Sequence, residues 1–165
     1  MKISAIIDYP ATPQEVFAML ANEDFQARKC AATGAHQHTV SIRTQGDRTI
    51  IVTTRDLPTD GFPSFIQSMA GATVSVTETQ DWGPSGTDGA RQGRLTVDIA
   101  GAPVDLAGTL SLAPGGKGSI ESVEGDLKGR IPLLGGRIEQ AAAPAIESAI
   151  RVESETGQAW LKTHK

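Results

Sequence analysis

The chain has 165 residues, 39% hydrophobic and 21% charged, with a formal net charge of −4 at pH 7. This is the balance of an ordinary soluble globular protein, and it predicts one domain spanning residues 1–165 with enough chain to bury a real core. The 15 basic residues form no run and only seven residues are aromatic, which argues against a nucleic-acid footprint or a base-stacking platform.

The N-terminus, Met1-Lys2-Ile3-Ser4-Ala5-Ile6-Ile7-Asp8, is too short and too soon acidic for a signal peptide. Lys2 to Tyr9 alternates as a strand, with Ile3, Ala5 and Ile7 on one face, and Pro10 ends it. Thr12-Pro13-Gln14-Glu15 is a capping box with proline at the first helical position. It predicts a short helix with Val16, Phe17 and Leu20 inward. Asn22 caps a second short helix running through Phe25 and Ala27 to about Cys30, closed by Thr33-Gly34. Cys30 is the one cysteine, which excludes an internal disulfide and fits a reducing compartment. A cytoplasmic location is expected.

Strands then dominate. His38 to Thr44 and Arg48 to Arg55 form a hairpin about Gln45-Gly46-Asp47. Leu57 to Gly71 holds Pro58, Gly61 and Pro63, then Phe65, Ile66 and Met69 at helical spacing, and reads as a loop containing one or two helical turns. Ala72 to Trp82, Ala90 to Ile99, Val104 to Leu112 and Ser119 to Arg130 are strands separated by glycine-rich turns. No stretch approaches the roughly 18 consecutive apolar residues of a membrane-crossing helix, so no integral membrane insertion is expected.

From Ile131 to Lys162 the period changes to that of a long amphipathic helix. Leu134, Ile138, Ala141, Ala142, Ala145, Ala149, Val152, Ala159 and Trp160 share one face, widened by Ile146, Ile150 and Leu161. The middle of that face is alanine, where a tightly packed helix–sheet core usually carries bulkier residues. Small residues there either let the backbone approach or leave room for something else. Pro144 falls on the polar side. Glu153 lies inside the apolar arc, where a carboxylate needs a partner or a raised pKa. Either it bends to the rim, or it meets an arginine from a strand.

Strand, two short helices, about six strands and one long helix make an α+β fold in which a sheet curls round the last helix. This order resembles the START-like superfamily, also called SRPBCC or helix-grip proteins. The resemblance rests on the strand ending at Pro10, on Pro13-x-x-Val16-Phe17, and on Ile131-Pro132-Leu133-Leu134-Gly135-Gly136-x-Ile138-Glu139 leading into the C-terminal helix. Within it the chain looks like a small actinobacterial family of unknown function, the DUF2505 proteins, a likeness helped by Arg55-x-Leu57-Pro58 and the Trp160-Leu161 ending. The resemblance implies a curved seven-stranded antiparallel sheet gripping the long helix, with an apolar cavity between them. The superfamily includes lipid carriers, polyketide cyclases, plant hormone receptors and chaperone cofactors. Its members share no catalytic motif, so no catalytic residue and no cofactor is carried over.

The residues themselves give few chemical signals. His36 and His38 share a face of an extended chain, but no further ligand stands at metal spacing, and no metal site is expected. Cys30 beside Arg28 and Lys29 is either a stabilised thiolate or a small apolar packing residue. Gly-x-Ser-x-Gly is absent, and the glycine-rich stretches carry no phosphate-binding spacing. Alternation places Glu78, Gln80 and Trp82 on the phase of Val74 and Val76, and Arg91 on that of Leu95 and Val97. If those phases face the long helix, polar groups enter an otherwise apolar space, which is the composition of a ligand pocket.

The leading expectation is a binder or carrier of a small hydrophobic molecule, lipid-like or polyketide-like. Glu78, Trp82, Arg91, Ala145, Ala149, Glu153 and Trp160 would meet it, with Phe62, Phe65 and Met69 at the entrance beside Ile66. Two alternatives stand beside it. One is a cyclase, dehydratase or hydrolase using Glu153, Glu78 and Arg91 as acid–base groups. The other is a protein-interaction module with a collapsed pocket. Arg91 is the first candidate partner for Glu153.

Overall fold

The computed structural model describes residues 1–164. The element order is β1 (Lys2–Tyr9), α1 (Pro13–Leu20), α2 (Glu23–Ala32), β2 (Gln37–Gln45), β3 (Arg48–Pro58), α3 (Ser64–Ala70), β4 (Thr73–Trp82), β5 (Arg91–Ala100), β6 (Val104–Gly115), β7 (Gly118–Gly129) and α4 (Gly135–Thr163). All neighbouring strands pair antiparallel in one seven-stranded sheet of order β1-β7-β6-β5-β4-β3-β2. The meander runs unbroken from β2 to β7, and β1 closes the other edge by pairing with β7. The expected α+β helix-grip architecture is the observed one.

Local chemistry sets the element ends. At α1 the Thr12 hydroxyl accepts from the Glu15 amide at 3.2 Å and the Glu15 carboxylate reaches back to the cap, satisfying donors that the first turn leaves free. The Asn22 side chain accepts from Asp24 and Phe25 at the start of α2. The long helix starts at Gly135 rather than Ile131. Leu133 takes a positive φ of 69° and is fully exposed, so the Pro132-Leu133 stretch is a turn that redirects the chain after β7.

The inward face of the sheet carries Ile3, Ile7 and Tyr9 of β1, Val123 and Leu127 of β7, Leu106, Leu110 and Leu112 of β6, Leu95 and Val97 of β5, and Val74, Val76 and Trp82 of β4. α4 crosses this face, packing on β7, β1 and β6, while α1 and α2 cover its C-terminal half. Gly108 and Gly125 pair across β6 and β7. A Cβ on Gly108 would overlap the Glu124 carbonyl, so the two backbones approach closely where both strands lack side chains. Ile138, Ala142, Trp160 and Leu161 bury the helix face. Two residues placed on that face by their spacing do not reach the core: Leu134 precedes the helix and Ala159 lies exposed.

Candidate functional site

Between the sheet and α4 lies a cavity of about 580 Å³. Its walls are mostly aliphatic: Val76, Leu95, Val97, Leu106 and Leu110 from the sheet, and Ala141, Ala142, Ala145, Ile146, Ala149 and Ile150 from the helix. Half-buried Leu57, Pro58 and Phe62, exposed Pro63 and buried Ile66, around the β3–α3 connection, line its mouth with the end of α2. The alanines at 141, 145 and 149 are only partly covered, because the space they face is not filled by sheet side chains. The volume lies in the range of small-molecule sites, and the interior is not collapsed.

One end of this cavity is polar and deeply buried. Nζ of Lys29, 1% exposed, donates to Glu78 Oε1 at 2.9 Å and to Glu153 Oε2 at 3.3 Å. Arg55 Nη2 donates to Glu78 Oε2 at 3.1 Å. Gln80 Nε2 donates to Glu78 at 2.8 Å, and Trp82 Nε1 donates to Gln80 at 2.9 Å. A relay thus runs from Trp82 through Gln80 and Glu78 to Lys29 and Glu153. Burial alone would push the Glu78 carboxyl up, but Lys29 and Arg55 outweigh it and hold the group well below the usual carboxylate range. Burial would likewise lower the Lys29 ammonium, yet the Glu153 and Glu78 charges keep it raised. Among the described residues Glu153 has only Lys29 as a bonded cation, and burial leaves its carboxyl raised.

Glu121 of β7 also faces the cavity, at 1% exposure, with Ile7 and Leu112 beside it on the neighbouring strands. Among the described residues its Oε2 has no hydrogen-bond partner, and neither does the hydroxyl of Tyr9. Burial first, then the Glu153 and Glu78 charges, push the Glu121 carboxyl well up. Burial, Glu121 and Glu153 do the same to the Tyr9 hydroxyl. Tyr9 fits under α4 because position 157 is glycine: a Cβ there would stand 2.6 Å from Tyr9 Cε1.

The residues singled out from the sequence divide. Phe62, Glu78, Ala145, Ala149 and Glu153 line the cavity. Trp82 and Trp160 pack beneath the short helices, edge-on to Phe17 at 6.0 Å and to Phe25 at 5.8 Å. Phe65 and Met69 lie on the exposed side of α3, whereas Ile66 points inward. Arg91 is not the partner of Glu153. It sits at the start of β5, beyond the cavity, with its guanidinium 3.7 Å from the Phe17 ring centre and donating to the Gly83 carbonyl at 2.9 Å. Lys29 takes that place because α2 packs on α4 and turns Phe25, Gln26, Lys29 and Cys30 inward. Cys30 is fully buried and burial pushes its thiol up, which is a packing role rather than a stabilised thiolate. His36 and His38 are exposed, and among the described residues no three His, Cys, Asp or Glu side chains converge on a metal position.

Lys29, Arg55, Glu121 and Tyr9 were missed. Each has a signal in the sequence. Arg55 is in phase with Ile51 and Thr53, Glu121 with Val123 and Leu127, Tyr9 with Ile7, and Lys29 stands four residues after Phe25.

A single antiparallel sheet closed over a C-terminal helix, with a cavity between them, is the helix-grip fold. The chain belongs to the family described as protein of unknown function DUF2505, whose model matches residues 4–161. An uncharacterised protein of Mycobacterium tuberculosis is 28% identical over 166 residues, covering 93% of this chain and 92% of that one. Among solved structures, the Zhui aromatase/cyclase of a Streptomyces species superposes with a TM-score of 0.61 at 10% identity, covering 98% of this chain and 92% of that one. A STAR-related lipid transfer protein of Xanthomonas axonopodis gives 0.61 at 11% identity, covering 98% and 85%. At such identities the likeness concerns the fold. Among the described residues no helix is long and apolar enough to cross a membrane.

Proposed function

We propose that this protein binds and carries a small, largely apolar molecule in the cavity between its sheet and α4. The observation that carries the reading is the cavity itself: about 580 Å³, with aliphatic walls and a mouth between α2, α4 and the β3–α3 connection. Space of this kind is costly to leave unfilled, because the side chains lining it forgo contacts that a close-packed interior would supply. The alanine row of α4 widens the space where larger residues would close it. Solved proteins of the same fold include one named for lipid transfer and one named as an aromatase/cyclase, which supports a hydrophobic cargo.

The buried ion pairs support a carrier more than a catalyst. Lys29, Arg55, Glu78 and Glu153 neutralise one another through short contacts, which fixes the inner wall without leaving a charged group free to react. Native mass spectrometry of the purified protein, with solvent extraction of the same sample, tests the reading. A reproducible small-molecule adduct recovered in the organic phase is the expected result. An adduct-free protein that also leaves a neutral fluorescent probe such as N-phenyl-1-naphthylamine unbound would overturn it.

A further inference from the structure

The carrier reading leaves Glu121 without a role, and the further inference rests on that reading. The other charges at the inner end are paired, Lys29 with Glu78 and Glu153 and Arg55 with Glu78 through Nη2, although Arg55 Nε has no hydrogen-bond partner among the described residues. Glu121 stands apart on the cavity wall, 1% exposed, with Oε2 unbonded among the described residues. The groups around it are Tyr9 of β1, Lys29 of α2, Arg55 of β3, Glu78 of β4 and Glu153 of α4. β6 offers it only Leu110 and Leu112, and α1 turns Val16, Met19 and Leu20 inward.

An ionised Glu121 would put a third carboxylate beside two others, facing cations already bonded elsewhere. Its neutral acid is the form this site favours. A neutral carboxylic acid has an O–H to donate, and so does Tyr9. A buried hydroxyl donor without an acceptor is costly in a folded interior; Glu121 lines the cavity, so an oxygen arriving with the cargo would satisfy its donor. A cargo carboxylate would instead meet Glu78 and Glu153, and a cargo ammonium would meet Lys29 and Arg55.

We propose that the cavity takes an uncharged amphiphile, a hydrocarbon body with a ketone or hydroxyl oxygen at its buried end, and that Glu121 donates the hydrogen bond that anchors this oxygen. Glu121 thereby selects the head group, while the aliphatic walls accept the body.

Matched straight-chain probes test this: dodecanol and 2-dodecanone as neutral heads, dodecanoate and dodecylamine as charged ones, and dodecane as the bare chain. Each competes with N-phenyl-1-naphthylamine near neutral pH. The alcohol and ketone should displace the probe at roughly tenfold lower concentration than the charged pair or the alkane, about the worth of one well-formed hydrogen bond in a dry site. Glu121→Gln keeps a donor and should keep the preference. Glu121→Leu removes the unpaired polar group, should fold at least as well, and should bind alcohol and alkane alike. Equal or tighter binding of dodecanoate or dodecylamine, or a preference for the alcohol that survives in Glu121→Leu, would overturn the head-group assignment while leaving the carrier reading intact. Failure of every probe, N-phenyl-1-naphthylamine included, would overturn both.

Discussion

Lys29 holds its ammonium between Glu78 and Glu153 with 1% of its surface exposed. A buried cation keeps its charge only where carboxylates answer it, and removing one partner of such a set strands the others. Lys29→Met keeps most of the side-chain length and deletes the charge. It should lower unfolding stability by about 3–5 kcal/mol in urea titrations, and adding Glu153→Gln should recover part of the loss. Additive losses in the double variant would count against the pairing. Glu121 behaves oppositely. Its folded-state carboxyl is raised by burial, so its contribution is fully present below the unfolded carboxylate pKa and is lost as pH rises toward the folded one. Glu121→Gln should therefore match the wild type near pH 4 and exceed it at neutral pH, the gap opening as pH climbs. A gap that narrows with rising pH in chemical denaturation would refute the buried neutral acid.

At the scale of elements, α4 does two jobs along its length. Its C-terminal half is packed, with Glu153, Gly157, Trp160 and Leu161 buried against β1 and the short helices. Its N-terminal half carries Ala141, Ala145 and Ala149 along the cavity. Ala149→Trp should fill space rather than displace core, reducing binding of a neutral apolar probe with little change in melting temperature. In a packed interior the same substitution would instead destabilise by about 1–3 kcal/mol, so probe titration and thermal melting together decide the matter. The short helices matter as much as the long one. α2 supplies Lys29 and α1 supplies the Phe17 surface that draws Arg91 away from the cavity.

For the whole molecule, enclosing a helix within one sheet requires the sheet to curve, and the facing pair Gly108 and Gly125 of β6 and β7 leaves room for such a bend. Strand interiors tolerate glycine at some cost, and here it permits close approach of backbone to backbone. Gly108→Ala should destabilise by about 1–3 kcal/mol or more, since its Cβ would collide with the Glu124 carbonyl rather than with a movable side chain. Apolar-probe binding should fall with it as the sheet opens. A neutral outcome in thermal melting would mean that the bend does not depend on this pair.

Much of this architecture was legible in the residues because its signals are local. The alternation in each strand, the Thr12 and Asn22 caps, the glycine turns and the change of period at the start of α4 each depend on neighbours a few positions away. Glu153 showed itself the same way, as a carboxylate out of phase with its own helix. What the sequence by itself determined was therefore the set of elements, their order, and which face each one hides. The tertiary structure decided which hidden groups meet. Lys29 and Glu153 lie on separate helices and Glu78 on a distant strand, and nothing in their spacing ranks Lys29 above Arg91 as a partner. Glu121 follows a plain strand alternation, yet its isolation depends on Lys29 and Arg55 being engaged elsewhere. Periodicity is a property of a segment; pairing, and the empty volume left between paired faces, are properties of distance in the folded chain.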